Sequence, residues 1–274
     1  MKKILAPTDF SAAAENAVDY AAKLAESMNV TLILLNCYHL PLMASGEGSV
    51  SFLTLETLEK ESKTSLLNEK KRIHRNCPKV KIETESVLGF AVEGITDFAN
   101  KNSADLIVMG ISSAGKFSEL VMGSISTEVV KETSCPVLIV PEKVRYQNLM
   151  KITLACDLKD IVHPECFDSL KELVSHFKAG LNVLNIIKPD EEISIEKAVN
   201  GIRLEHLFED LNHTLHFEEE QDVVEGIENF VEQNKVNMVS IVSRKHNFIN
   251  RLLHESNTKR MAFHTHVPLL ALHE

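Results

Sequence analysis

The stretch KKILAPTDFSAAAENAVDYAAKLAESMNVTLILLNC, residues Lys2–Cys37, decides the fold. Its apolar run Lys3–Pro7 predicts a short strand. Ala12–Ser27 places alanine and valine at helical spacing, and Ser11 before it has the side chain of a typical N-cap residue. Val30–Cys37 is rich in leucine and isoleucine and too short for a typical helix, so it predicts a second strand. This strand–helix–strand order is typical of parallel strands joined by a crossover helix.

The same alternation continues to residue 140 and predicts an α/β fold. The further predicted elements are helix Phe52–Arg75, strand Val80–Val87, helix Val92–Ala99, strand Asp105–Met109, helix Ser124–Thr133 and strand Val137–Val140. Such alternation implies a doubly wound, Rossmann-like parallel sheet with helices on both faces. A ligand crevice is then expected at the carboxyl ends of the strands, where Asp9 and Gly110 follow the first and fourth strands.

The order of elements repeats after residue 150. The predicted elements of this part are strand Lys151–Cys156, a helix from near Pro164 to near Gly180, strand Asn182–Ile187, helix Ile193–Leu211, strand Thr214–Phe217, helix Val223–Gln233, strand Asn237–Val242, helix Ile249–Phe263 and strand Leu269–Leu272. Residues match as well, because KKILAPTD at Lys2–Asp9 aligns with MKITLACD at Met150–Asp157. The sequence therefore predicts a duplication, with one domain at 1–143, another at 149–274 and a polar connector, Glu142–Asn148, at the boundary.

The last strand of each half is apolar and lies at a predicted sheet edge. An exposed apolar edge strand pairs readily with another chain. Another strand must therefore pair with each of these two edges, Val137–Val140 and Leu269–Leu272. We therefore expect the two halves to pack against each other as a pseudo-dimer within one chain. A homodimer of such tandem chains is a further expected assembly.

Composition excludes several classes of partner. The formal net charge is −10 over 274 residues, and an acidic surface repels nucleic-acid backbones and anionic lipid. No apolar run reaches the roughly 18 residues that a transmembrane helix needs. The 5 cysteines contain no CxxC pair and are odd in number, which favours reduced thiols. We expect a cytoplasmic protein with no nucleic-acid or membrane partner.

The segment MGISSAGKFSELVMGSIST, Met109–Thr127, joins the fourth strand to a helix through a loop that contains glycines. This connection brings unpaired backbone N–H groups and the positive end of a helix to one place. Both favour the binding of a phosphate. An ordinary strand–loop–helix connection with turn glycines satisfies the spacing equally well, since loose glycine patterns are common.

Three motifs resemble the ATP-binding branch of the universal stress protein family. PTDFS at Pro7–Ser11 is one, and CPVLIVP at the end of the first half is another. The third is the family pattern of Gly, two residues, Gly, nine residues, Gly and Ser or Thr, which stands here as Gly110, Ser113, Gly123 and Ser124. The resemblance covers the first half closely and the second half in outline.

This resemblance implies an adenine-nucleotide site for ATP or AMP. Asp9 would hold the ribose hydroxyls, since a carboxylate accepts from hydroxyls and repels phosphates. The other implied contacts are Pro7 and Thr8 at the base or sugar, Cys37 at the adenine, Gly110 at the ribose or α-phosphate, and Ser113, Gly123, Ser124, Ile125 and Ser126 at the phosphates. Ser113 replaces a glycine at a cost on the order of 1 kcal/mol, and Gly115 is placed to take over the turn.

The second half departs from this pattern. Asp157 matches Asp9, but Ser243, His246 and Glu255 occupy the glycine positions. Glu255 would put negative charge where a phosphate should lie. We therefore expect one nucleotide per chain, in the first half.

Histidines are concentrated in the second half. His264 and His266 share one face if the segment is extended, and with a third ligand from elsewhere they would hold Zn²⁺. Surface histidines in contact with solvent are the alternative, since two ligands alone prove little.

Three functions fit these observations. The first is a nucleotide-binding stress module that acts on an unidentified protein partner. The second is a weak hydrolase of ATP or AMP that needs a metal such as Mg²⁺, although the loop offers no convincing general base. The third is a ligand-free oligomeric scaffold. The balance of features favours a binding protein over an enzyme.

Overall fold

A computed structural model describes residues 1–40, 54–111, 124–158, 163–189, 194–243 and 267–273. The strands are β1 (Lys3–Pro7), β2 (Thr31–Tyr38), β3 (Lys81–Leu88), β4 (Leu106–Ile111), β5 (Val137–Pro141), β6 (Lys151–Ala155), β7 (Gly180–Ile187), β8 (His213–Glu219), β9 (Met238–Ser243) and β10 (Leu269–His273). The helices are α1 (Ala12–Met28), α2 (Leu55–Asn76), α3 (Ala91–Lys101), α4 (Ser124–Glu132), α5 (Asp168–Phe177), α6 (Ile195–Leu207) and α7 (Val223–Asn234), with a 3-10 turn at Pro164–Phe167.

Within these residues, one 10-stranded sheet runs through both halves in the order β3-β2-β1-β4-β5-β10-β9-β6-β7-β8. Neighbouring strands are parallel except at the centre, where β5 and β10 are antiparallel and Leu138 lies opposite Leu270. The last strands of the two halves therefore cover each other's edges. The predicted doubly wound fold and the predicted pseudo-dimer are both confirmed.

Apolar side chains of the strands alternate between two core layers. Ile4 and Leu5 are both fully buried and belong to opposite layers, because successive residues of a strand face opposite sides. α1 covers one face with buried alanines such as Ala17 and Ala21. Ser11 caps this helix as predicted, since its hydroxyl accepts from the N–H of Ala14 at 3.3 Å. α1 is thereby fixed directly after the turn that carries Asp9.

The connector between the halves is packed on α1. Asn16 is buried and donates from Nδ2 to the carbonyls of Pro141 and Val144, at 3.0 and 2.9 Å. The ring of Tyr146 meets that of Tyr20 edge to face, with centroids 5.2 Å apart. These contacts hold the residues that follow β5 at a defined place beside the carboxyl ends of the strands.

Two predicted helices of the second half end three or more residues earlier in the structure than the sequence predicts. The helix expected from Pro164 to Gly180 is a 3-10 turn followed by α5, which ends where Lys178 adopts a left-handed conformation with φ 50°. Gly180 instead begins β7, because its N–H donates to the carbonyl of Met150 at 2.9 Å. α6 ends at Leu207 rather than Leu211, since buried Phe208 caps it and a turn leads into β8.

The predicted helix Ile249–Phe263 lies outside the described residues. No helix in the described ranges is long and apolar enough to cross a membrane.

Candidate functional site

A cavity of about 510 Å³ lies at the carboxyl ends of the first-half strands, beside the N-terminal turns of α1, α3 and α4. β1 and β4 are neighbours in the sheet, although three crossover helices, α1, α2 and α3, lie between them in the chain. The cavity therefore lies at the switch point of strand order. The residues predicted for the site that line it are Pro7, Thr8, Asp9, Cys37, Gly110, Ile125 and Ser126.

The turn between β1 and α1 presents Asp9 at the cavity. Phe10 has φ 63°, and its N–H donates to Oγ1 of Thr8 at 3.0 Å. Asp9 is exposed, and its Oδ1 accepts from the N–H of Ser11 at 3.0 Å. One carboxylate oxygen thus fixes the turn. Among the described residues none donates to Oδ2, which can therefore accept from a ligand hydroxyl.

A series of hydrogen-bonded polar side chains supports this turn. Ser86 on β3 donates to Ser62 on α2 at 2.6 Å, and Ser62 donates to Oδ1 of Asn36 at 2.7 Å. Asn36 then donates from Nδ2 to the carbonyl of Thr8 at 2.7 Å. Sequence reasoning missed Asn36, although a single amide in the apolar run LILLNC is the signal that marks it. The chain ties β3, α2 and β2 to the turn that carries Asp9.

Close packing explains the glycine at position 110. A Cβ built on Gly110 would lie 2.2 Å from the carbonyl oxygen of Ala13 on α1, a distance that real Cβ contacts essentially never show. Ser126, in the first turn of α4, donates from Oγ to the carbonyl of Gly110 at 2.9 Å. The N-terminal turns of α1 and α4 therefore both approach the backbone of β4 at this glycine.

Cys37 forms part of an apolar wall of the cavity, together with Ala91 and Ile95 of α3. Its Sγ would lie 2.7 Å from a Cβ at Gly94, so the absent side chain at position 94 makes room for the thiol. Burial raises the pKa of the Cys37 thiol to about 11, and the thiol is uncharged at neutral pH. Its chemistry suits packing against a flat apolar ring rather than nucleophilic attack.

Several predicted site residues lie outside the described residues. These are Ser113, Gly115, Gly123, His264 and His266. Ser124 begins α4, but its side chain is not among those described. Within the described ranges, no group of three or more His, Cys, Asp or Glu side chains could hold a metal ion.

The second half keeps the backbone of the β1–α1 turn. Phe10 is the third residue after β1 and has φ 63°, and Leu158 is the third residue after β6 and has φ 52°. Asn185 donates to the carbonyl of Cys156 at 2.8 Å, as Asn36 does to Thr8. Its degenerate loop, residues 244–266, falls outside the described part of the chain.

Comparison with known proteins identifies a family and relatives that each match about half of the chain. A family model described as the Universal stress protein family matches residues 1–141. A universal stress protein of Methanocaldococcus jannaschii is 32% identical over 139 residues, which are 51% of this chain and 81% of that protein. A second one from the same organism is 30% identical over 159 residues and matches 52% of this chain and 96% of its own length.

A solved structure resembles the whole chain. The crystal structure of a universal stress protein from Archaeoglobus fulgidus aligns with a TM-score of 0.74, at 17% identity, and covers 98% of this chain and 97% of that one. At this identity the likeness concerns the fold, and it extends over both halves.

Proposed function

The chain belongs to the universal stress protein family, because the family model matches residues 1–141 and two relatives are at least 30% identical. We propose that it binds one adenine nucleotide, ATP or AMP. The observation that carries this proposal is the cavity itself. It gathers residues from the turn after β1, from two strands and from one helix at the switch point of the sheet: Thr8, Asp9, Cys37, Gly110 and Ser126.

The chemistry of the lining divides the cavity into parts. Asp9 offers a carboxylate oxygen for the ribose hydroxyls, and the apolar wall at Cys37 and Ile95 offers a surface for the base. Phosphates would lie toward α4, whose N-terminal N–H groups and positive dipole end favour anions. Gly110 lies between these two ends, on β4.

The biological role that we propose is that of a nucleotide sensor in the cytoplasm. The domain at 1–143 would take the nucleotide, and the domain at 149–274 would act as its structural partner through the β5–β10 pairing. Nucleotide occupancy would change the surface that a protein partner or a second tandem chain recognises. We propose a binding function rather than hydrolysis. Asp9 and Glu142 are carboxylates, but among the described lining residues no hydrogen bond pairs either of them with a nucleophilic side chain.

Thermal unfolding of the whole chain tests the proposal. AMP, ADP and ATP are each added with and without Mg²⁺ or Zn²⁺, and GMP and GTP serve as controls for the base. Adenine nucleotides at a hundredfold excess over Kd should raise the melting temperature by about 5 °C. The proposal fails if none of the adenine nucleotides shifts the transition. A shift with Zn²⁺ alone would instead favour the histidine metal site at His264 and His266.

A further inference from the structure

Glu142 is the first residue after β5, and it lines the same cavity as Asp9. Its N–H donates to the carbonyl of Ile111 at 3.1 Å, and its own carbonyl accepts from Nη1 of Arg145 at 2.9 Å. The backbone of Glu142 is therefore held from both sides beside the end of β4. Sequence reasoning assigned this residue to a connector and missed it.

The charge of the described lining is entirely negative. Asp9 and Glu142 are its charged residues, and no lysine, arginine or histidine belongs to the described lining. The guanidinium of Arg145 bonds to Oδ1 of Asn16 and to the backbone of Glu142 rather than to the Glu142 carboxylate. Among the described residues, none of the ion pairs involves Glu142. Glu142 thus brings a negative charge to the cavity without a compensating cation from the described residues.

The two carboxylates lie at different ends of the cavity. Asp9 follows β1, Glu142 follows β5, and β4 with Gly110 runs between them. Adjacent strands are about 4.8 Å apart, so the two backbones are separated by roughly two strand spacings. The first turn of α4 reaches this β4–β5 side, because Ser126 donates to the carbonyl of Gly110. A nucleotide with its sugar at Asp9 and its phosphates toward α4 therefore brings those phosphates to Glu142.

We infer that Glu142 is a specificity-determining residue that disfavours nucleotides with several unchelated phosphates. This inference rests on the proposed nucleotide site. Coulomb repulsion grows with ligand charge, which is zero for adenosine, roughly −2 for AMP and about twice that for free ATP. Mg²⁺ bound to the phosphates neutralises part of that charge and relieves the repulsion. The site would then accept AMP or Mg–ATP and reject free ATP.

Titration calorimetry of the full chain tests this inference with adenosine, AMP and ATP, each in EDTA and in Mg²⁺. Wild type is compared with Glu142→Gln, which keeps the shape and removes the charge. Glu132→Gln is the matched control, because Glu132 is an exposed carboxylate of α4 that does not line the cavity. Glu142→Gln should increase the affinity for free ATP about tenfold, or about 1.4 kcal/mol, and the affinity for AMP about threefold. The affinity for adenosine should change less than twofold. Mg²⁺ should reduce the increase in ATP affinity that the substitution causes.

Other outcomes separate the two proposals. Equal gains for adenosine and ATP, or no gain for free ATP, would overturn the role of Glu142 while leaving the nucleotide site in place. A comparable gain in Glu132→Gln would also overturn it, since general surface charge would then explain the effect. If neither protein binds any of the three ligands, the proposed function fails and this inference fails with it.

Discussion

Asn36 and Asn185 hold matching positions in the two halves, and each donates from its amide to the carbonyl of the residue that follows the neighbouring strand. The distances are 2.7 Å to Thr8 and 2.8 Å to Cys156. The other amide atoms differ, because Oδ1 of Asn36 accepts from Ser62, whereas Oδ1 of Asn185 is buried without a partner among the described residues. The turn that presents Asp9 is therefore supported from α2 through Asn36. Its counterpart is supported from α6 directly, because buried Asn200 donates from Nδ2 to the carbonyl of Leu158 at 3.1 Å.

Replacing Ser62 with alanine tests this support. Ser62 is buried, and its removal leaves Oδ1 of Asn36 without its donor, so the free energy of unfolding should fall by about 1–2 kcal/mol. Thr64→Ala on the exposed side of α2 is the control and should change stability by less than about 0.5 kcal/mol. Urea unfolding curves give both values. Equal effects of the two substitutions would show that the polar chain does not stabilise the fold.

Gly110→Ala should be severely destabilising. The new Cβ would lie 2.2 Å from a backbone oxygen of α1, and no flexible side chain can move to relieve that contact. We expect a loss of about 3 kcal/mol and weaker nucleotide binding. Gly180→Ala is the matched control, because its nearest neighbours to a new Cβ are 3.9 and 4.0 Å away. A stability loss of the same size in both variants would contradict the packing explanation.

The Cys37 thiol should react slowly with iodoacetamide at pH 8. Since burial raises its pKa to about 11, its thiolate fraction is roughly a hundredfold below that of an unfolded chain. Reactivity should rise as the pH approaches 11. The stability that the protonated thiol contributes is fully present below the pKa of the unfolded chain and is lost as the pH rises through the folded-state pKa of about 11. Peptide mass spectrometry of native and urea-unfolded protein measures both rates. Similar rates in the two states at pH 8 would refute this environment for Cys37.

Periodicity and turn chemistry predict most of the fold. Local sequence features predict the strand that starts at Lys3 and the N-cap at Ser11, and the structure confirms both predictions. The end of α5 could not be predicted, because Lys178 rather than a glycine takes the left-handed conformation. The start of β7 at Gly180 depends on pairing with β6, which no local pattern encodes.

The candidate site was predictable only in part. A loop pattern and a resemblance identify Asp9 and Gly110, and the fold brings both to one cavity. Asn36 and Glu142 were missed, because their roles depend on contacts between elements that are distant in sequence. The close approach of α1 to Gly110 is likewise a tertiary contact, whereas the loop pattern assigns the glycine to the ligand alone.

Binding stoichiometry, measured by titration calorimetry of the full chain with AMP and with Mg–ATP, tests the central claim most directly. We predict one site per chain. Asp9→Ala should weaken binding at least tenfold, since it removes the acceptor for the ribose hydroxyls, and Asp157→Ala should leave the affinity unchanged. Two sites per chain, or binding that survives Asp9→Ala and is lost with Asp157→Ala, would contradict the assignment of the nucleotide to the first half.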